Sequence, residues 1–318
     1  MTTKQPDRQA ARPTKAVIQW LLDSDPSIRW QVMRDLTEEP NDAVAAERSR
    51  VASEGWGARL LDLQEPDGTW GDDVARPKWA STLHSMLLLR DLGVDPASER
   101  ARTAVSLVRR RFTWGPEFGD LPFFEGEVEP CINGGTLALG GYFGETRDPL
   151  VDQLLGEQLA DGGWNCEAER GSVRSSFHTT ICVLEGLLAY EKAKGATTTV
   201  TAARLRAHEY LLERRMFRSL SSGEVINPNW TRFSFPTTWH YDVLRGLDYL
   251  RAAGVDPDER VAEAVGLVID QQDEDGQWPL HEAHPGPVLL DMEGGAGKPS
   301  RWNTLRALRV LDWYSAES

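Results

Sequence analysis

The string Gln-x-x-x-Gly-x-Trp occurs three times in this 318-residue chain, from Gln64 to Trp70, Gln158 to Trp164 and Gln272 to Trp278. Each copy closes an apolar helical run (Leu60 to Leu63, Leu154 to Glu157, Leu267 to Gln271) and is followed by a loop and a second amphipathic segment. A repeat on this scale constrains the architecture before any chemistry does, because one helical hairpin cannot bury its own apolar face and has to stack on neighbours. Degenerate copies at Val108 to Gly115 and Leu211 to Phe217 fall between the clear ones. Together they give a period of about 45 to 60 residues, the length of two helices and two loops. The first unit is Ala16 to Leu36, with one helix over Val17 to Leu22 and another over Ile28 to Leu36.

The second helix of each later unit begins after a polar or proline-containing loop, at Pro77-Lys78, Glu129-Pro130, Ser176-Phe177, His240 into Val243, and Pro299 into Trp302. Serine and threonine at such places cap exposed amides, and Pro130 suits a first helical position. The run Gly134 to Gly141 is small or apolar on nearly every side, which signals burial on most faces. Pairing such helices with more amphipathic partners predicts an inner and an outer ring. The expectation is an all-α fold, a closed α/α toroid of about six hairpins and about twelve helices. An open helical solenoid has a similar period, but its last helix should turn polar, and Trp302 to Trp313 stays rich in Leu and Trp. One domain is expected over 16–318. Residues 1–15, polar and proline-containing without an apolar core, read as a disordered tail and not as a signal peptide.

Composition narrows the function classes. The chain has 49 acidic against 35 basic residues and a formal charge of −14, which opposes nucleic acid and anionic lipid as partners. No apolar run approaches the roughly 18 residues of a membrane span. Three cysteines at unrelated spacings do not form a disulfide framework, so a reducing cytoplasm is expected.

The Gln-x-x-x-Gly-x-Trp motif and the Asp161-Gly162-Gly163-Trp164 turn resemble the repeats of squalene cyclases and protein prenyltransferase β-subunits. The resemblance covers about residues 16 to 314 and implies a toroid with a central funnel for a small apolar, isoprenoid-like molecule. It does not fix the activity. The motif itself reads as a structural clamp: the glutamine ties a helix end to a loop, the glycine permits a tight turn, and the tryptophan covers the joint.

Inner-helix starts converge on one mouth of such a ring, and Cys131, His178 and His240 lie at three of them. In the prenyltransferase β-subunits an Asp-x-Cys pair at one inner-helix start and a His at the next hold zinc. By that resemblance Glu129, Cys131 and His178 form an O, S, N set for zinc, with Cys166 available for the fourth position. The strip Glu117 to Glu129 alternates carboxylates with aromatics on a loop crossing the mouth. Its functional reading gives Glu127 as a general acid and Phe123 and Phe124 as a substrate surface. Its structural reading is a solvated acidic loop with both phenylalanines tucked beneath. This strip departs from the prenyltransferases, where the matching stretch is basic and binds diphosphate. Cations for an anionic substrate would come from Arg174 or Arg301 near other helix starts, residues that serve equally as ion-pair partners. His240 is a candidate acid, base or further ligand, but His240, Tyr241 and Asp242 as consecutive residues do not share one helix face. Cys182, deeper in its helix, reads as core.

Class II terpene cyclases protonate an alkene with Asp-x-Asp-Asp, and neither Asp23-Ser24-Asp25-Pro26 nor Asp72-Asp73 is that motif. A Gly-rich phosphate loop, a Gly-x-Ser-x-Gly elbow and a His-Glu-x-x-His pair are also missing from the sequence. Two readings stay open: an enzyme on an apolar substrate with zinc at its mouth, and a non-catalytic toroid binding a small molecule or peptide. A lanthionine-cyclase-like zinc toroid is weaker, since the local Cys-His pair of those enzymes is missing. Neither the substrate nor the oligomeric state is written in the sequence.

Overall fold

The computed structural model describes residues 13–71, 77–281 and 289–315. Most of the expected N-terminal tail, and Asp72-Asp73, lie outside these residues. Thirteen α-helices occur among the described residues. In chain order α1 (Lys15–Leu22) packs on α2 (Pro26–Asp35) and α4 (Gly55–Asp62) on α5 (Lys78–Leu92), followed by α6 (Glu99–Arg111) and α7 (Pro130–Phe143). The helices that follow are α8 (Asp148–Gly156), α9 (Phe177–Lys194), α10 (Thr198–Glu213), α11 (Val243–Ala252), α12 (Ala262–Asp270) and α13 (Arg301–Ser315). Six hairpins were expected, and the helix beyond twelve is α3 (Asn41–Ser49), an alanine-rich segment of high helix propensity. The only strands among the described residues are two-residue pieces, Trp278–Pro279 paired antiparallel with Pro299–Ser300. The class is all-α.

First and second helices differ as the sequence pattern requires. In α6 the buried residues are Ala101, Ala104, Val105 and Val108, the i, i+3, i+4, i+7 stripe of a half-exposed helix. In α7 burial is continuous from Ile132 to Gly140, and in α13 from Trp302 to Leu311. Glycine explains the closest packing. A methyl group on Gly134 would lie under 3 Å from the backbone of Cys182, and one on Gly186 would strike the carbonyl of Gly134. A methyl group on Gly141 would reach the backbone of Ala189. Helices α7 and α9 therefore touch backbone to backbone, which brings their starts side by side.

The three motif copies form the same clamp. Each tryptophan is fully buried, and its indole N–H donates back to the helix just ended: Trp70 to the Leu60 carbonyl at 2.8 Å, Trp164 to Leu154 at 2.6 Å, Trp278 to Val268 at 2.7 Å. Each tryptophan backbone N–H donates to a threonine of the second helix, Thr82, Thr180 or Thr304, at 3.2, 3.0 and 3.0 Å. Gln64 and Gln158 bridge their own turn and the next first helix, donating to the carbonyls of Ala104 in α6 and Ala203 in α10. Sequence showed the glutamine, glycine and tryptophan, while the threonine is the fourth member.

The chain divides into two compact units, one of Met1–Glu47, Leu211–His284 and Met292–Ser318, the other of Arg48–Tyr210 and Pro285–Asp291. The first unit holds both ends of the chain. In it α2 packs on α13, Arg309 pairs with Asp35, and Arg301 lies over the Trp20 ring at 4.6 Å. The third clamp turns to α1: a methyl group on Gly276 would sit 3.1 Å from Val17, where Gly68 faces α6 and Gly162 faces α10. First and last hairpins thus meet within this unit.

Candidate thiol and carboxylate centre

The start of α7 is built by Glu127. Its backbone is held in both directions by Asn133, whose Oδ1 accepts the Glu127 N–H at 2.7 Å and whose Nδ2 donates to the Glu127 carbonyl at 2.7 Å. Gln153 donates to the same carbonyl at 3.3 Å. Gly126, at φ 81°, lies so close to Asn133 and Leu150 that a side chain there would clash with both. The Glu127 carboxylate then turns onto the helix end and accepts the N–H groups of Val128 at 2.6 Å and Glu129 at 2.8 Å. Glu129, the formal cap residue, makes no side-chain cap bond, and Glu127 instead fixes the two residues that lead into the helix. Burial pushes the Glu127 carboxyl up to about 7; the two amide bonds oppose this, and the charges of Glu129 and Glu157 add to it.

The second side of the centre is positioned by the clamp. Thr180 holds the Trp164 amide, and its neighbour Thr179 accepts the Cys166 N–H at 3.4 Å and lies 3.4 Å from the Cys166 sulfur. Cys166 opens a short 3-10 turn, Cys166–Arg170, capped by Asn165. Asn165 also staples the following loop through Ser172 at 3.0 Å and the Arg174 carbonyl at 2.7 Å. Because α7 and α9 start side by side, Cys166 meets the first turn of α7. One ligand atom each from Glu129, Cys131 and Cys166 lie within 4.8 Å of one another, and the Cys131 thiol donates to Glu129 Oε2 at 3.7 Å.

Charge is distributed unevenly over the two thiols. The neighbouring Cys166 sulfur holds Cys131 in its protonated form; burial and the Glu129 charge act in the same direction. Cys166 moves the other way, lowered by the Cys131 thiol, the Thr179 hydroxyl and the backbone amide of Cys131, against burial. Among the described residues no lysine or arginine pairs with Glu127, Glu129 or Glu157. Glu157, also raised by burial, keeps Oε2 buried without a hydrogen-bond partner.

The other candidates fall elsewhere. His178, the second residue of α9, is not in the three-residue group; a helix turns about 100° per residue, and Thr179 is the residue that faces Cys166. Phe123 and Phe124 are buried beneath the acidic strip, with Phe123 stacked on Trp114 at 5.1 Å and edge-on to Phe124 and Phe112. Arg174 is exposed. Arg301 donates to the Trp20 carbonyl at 3.3 Å as it covers that ring. His240 stacks on Trp239 at 3.8 Å, and its Nδ1 lies 3.0 Å from the Thr238 hydroxyl. Cys182 is buried, as expected of core.

Three contributors are not evident from sequence. Asn133 carried a signal, an amide inside an otherwise small and apolar run. Thr179 lies within the stretch that resembles the prenyltransferases, but nothing marks it above His178. Glu157 precedes a clamp glutamine and looks like any surface carboxylate.

No family model and no curated protein matches this chain. Among solved structures it is similar to the type II terpene cyclase MstE from Scytonema in its apo form, at 16% identity and a TM-score of 0.47, over 95% of this chain and 97% of that one. It is also similar, at 16% identity, to variants of that cyclase bound to product and to substrate. The complex with merosterolic acid A has a TM-score of 0.47 over 96% of each chain. The complex with geranylgeranyl dihydroxybenzoate has a TM-score of 0.46 over 96% of this chain and 97% of that one.

Proposed function

We propose that this protein is a terpenoid cyclase/prenyltransferase-like enzyme of the cytoplasm, acting on a small apolar, isoprenoid-like substrate with a zinc centre at Glu129, Cys131 and Cys166. The observation that carries the metal centre is the convergence of one carboxylate and two sulfurs from two elements. A tetrahedral zinc site with Zn–S of about 2.3 Å and Zn–O of about 2.1 Å has an S-to-O edge of about 3.6 Å. The 3.7 Å between Cys131 Sγ and Glu129 Oε2 fits that edge, and an O, S, S set suits a borderline-soft ion. Zinc held there lowers the pKa of a coordinated thiol or water. Glu127, tied to the same helix start and titrating near neutrality, is the general acid of this reading. The apolar substrate rests on the resemblance of the repeats.

Metal analysis of protein purified without chelator tests the proposal. Zinc near one per chain, lost in Cys131→Ala and in Cys166→Ala with the helical circular dichroism retained, is the expected result. A metal-free wild-type chain would sink the zinc centre and favour a toroid that binds a small molecule without catalysis.

A further inference from the structure

The same cluster has a second property, which rests on the sulfurs alone. Cys131 and Cys166 come from different elements, the first turn of α7 and the 3-10 turn ahead of α9, and both are partly exposed. Their sulfurs lie within 4.8 Å of each other. The third cysteine, Cys182, is buried deep in α9. The Cys166 sulfur lies beside the first turn of α7, a 14-residue helix. A helix N-terminus favours a thiolate over a thiol, and a thiolate is the attacking form in sulfur chemistry.

We propose that Cys131 and Cys166 form a redox pair, which hydroperoxides close into a disulfide. In the first step one of the two, as thiolate, attacks one peroxide oxygen and the O–O bond breaks. That cysteine becomes a sulfenic acid, and the departing oxygen leaves as hydroxide or alkoxide. In the second step the other sulfur attacks the oxidised one, the S–O bond breaks, and the oxygen leaves as water with the second thiol's proton. Two thiols lose two electrons in total, and one peroxide is reduced. The sulfurs have to close to about 2.05 Å, which side-chain rotation of Cys166 on a loop and Cys131 on a first helical turn can supply. In the proposed zinc enzyme the disulfide would remove both sulfur ligands and leave only Glu129, so oxidation and metal binding exclude each other at this site.

The test is run on chelator-treated, metal-free full-length chain, so that it does not depend on zinc. After brief exposure to hydrogen peroxide, thiols counted in denaturant should fall from three to one. Peptide mapping should find Cys131 joined to Cys166, and reduction should restore all three. Cys182→Ser should lose the same two thiols, whereas one of Cys131→Ser and Cys166→Ser should strand the remaining partner as a sulfenic acid trapped by a cyclic 1,3-dione. Three thiols persisting after peroxide, or one of the two oxidised to sulfinic acid with the other still free to alkylate, would overturn the pair. Zinc content measured separately on untreated protein decides the metal reading whichever way this result falls.

Discussion

Glu127 at the start of α7 and Asp242 at the start of α11 are equally hidden, each 4% exposed, and each satisfies amides at a helix end. Their surroundings are opposite. Asp242 sits under Arg306 at 3.7 Å, accepts the amides of Arg245 and Ser234, and lies where the Arg245 side chain fastens the Thr238 and His240 carbonyls. Arg306 in turn donates to the Ser234 carbonyl. Burial raises Asp242, and the Arg306 charge acts against it. Glu127 has only backbone amides against burial, with the Glu129 and Glu157 carboxylates adding to it. A buried carboxylate matched by a cation is tied into the scaffold, whereas one left among like charges has only hydrogen bonds to set against its burial.

The largest effect separating the two regions should come from Arg306→Met. It leaves Asp242 buried without its cation and should cost about 3–5 kcal/mol in urea unfolding, with Asp242→Asn added to it recovering most of the loss. A loss under about 1 kcal/mol would mean that Asp242 is not held as a buried ion pair. Next is Asn133→Leu, which strips both Asn133 hydrogen bonds from the Glu127 backbone and should cost about 1–3 kcal/mol by leaving its buried N–H unmet and its carbonyl with the Gln153 bond alone. The same substitution should loosen the α7 start, read as faster amide exchange at Val128 and Glu129.

The smallest effect is one of slope. Glu127 has its folded pKa raised from 4.5 to about 7, so the folded chain binds more protons than the unfolded one across that interval. Its contribution is therefore fully favourable below pH 4.5 and declines as pH rises toward about 7. Glu127→Gln should remove that decline, which parallel urea titrations of variant and wild type would detect. Identical slopes would place the Glu127 pKa near its ordinary value.

The fold was legible because its determinants are local and repeated. Tryptophan and glycine at fixed offsets announce each clamp, and the apolar stripe of α6 against the all-round burial of α7 announces which helix lies deeper. The clamp threonines were not legible, since Thr82, Thr180 and Thr304 follow their tryptophans by 12, 16 and 26 residues. At the centre, sequence picked out Glu129, Cys131 and Cys166, but the helical phase at the start of α9 decided between His178 and Thr179. Residue type favoured the imidazole there; rotation about the helix axis put the hydroxyl against the sulfur. Phe123 and Phe124 illustrate the same limit, because alternation with carboxylates suits a ligand surface and a covered aromatic cluster equally well.

The meeting of α1 and α2 with the last hairpin bears on how the molecule comes apart. Linear repeat arrays melt inward from their ends, since a terminal repeat has one neighbour fewer than the rest. Here Val17 stands at the third clamp and Arg309 is buried against Asp35, so each end is an interior neighbour of the other. Opening either hairpin has to break contacts belonging to both, and the two become one cooperative element.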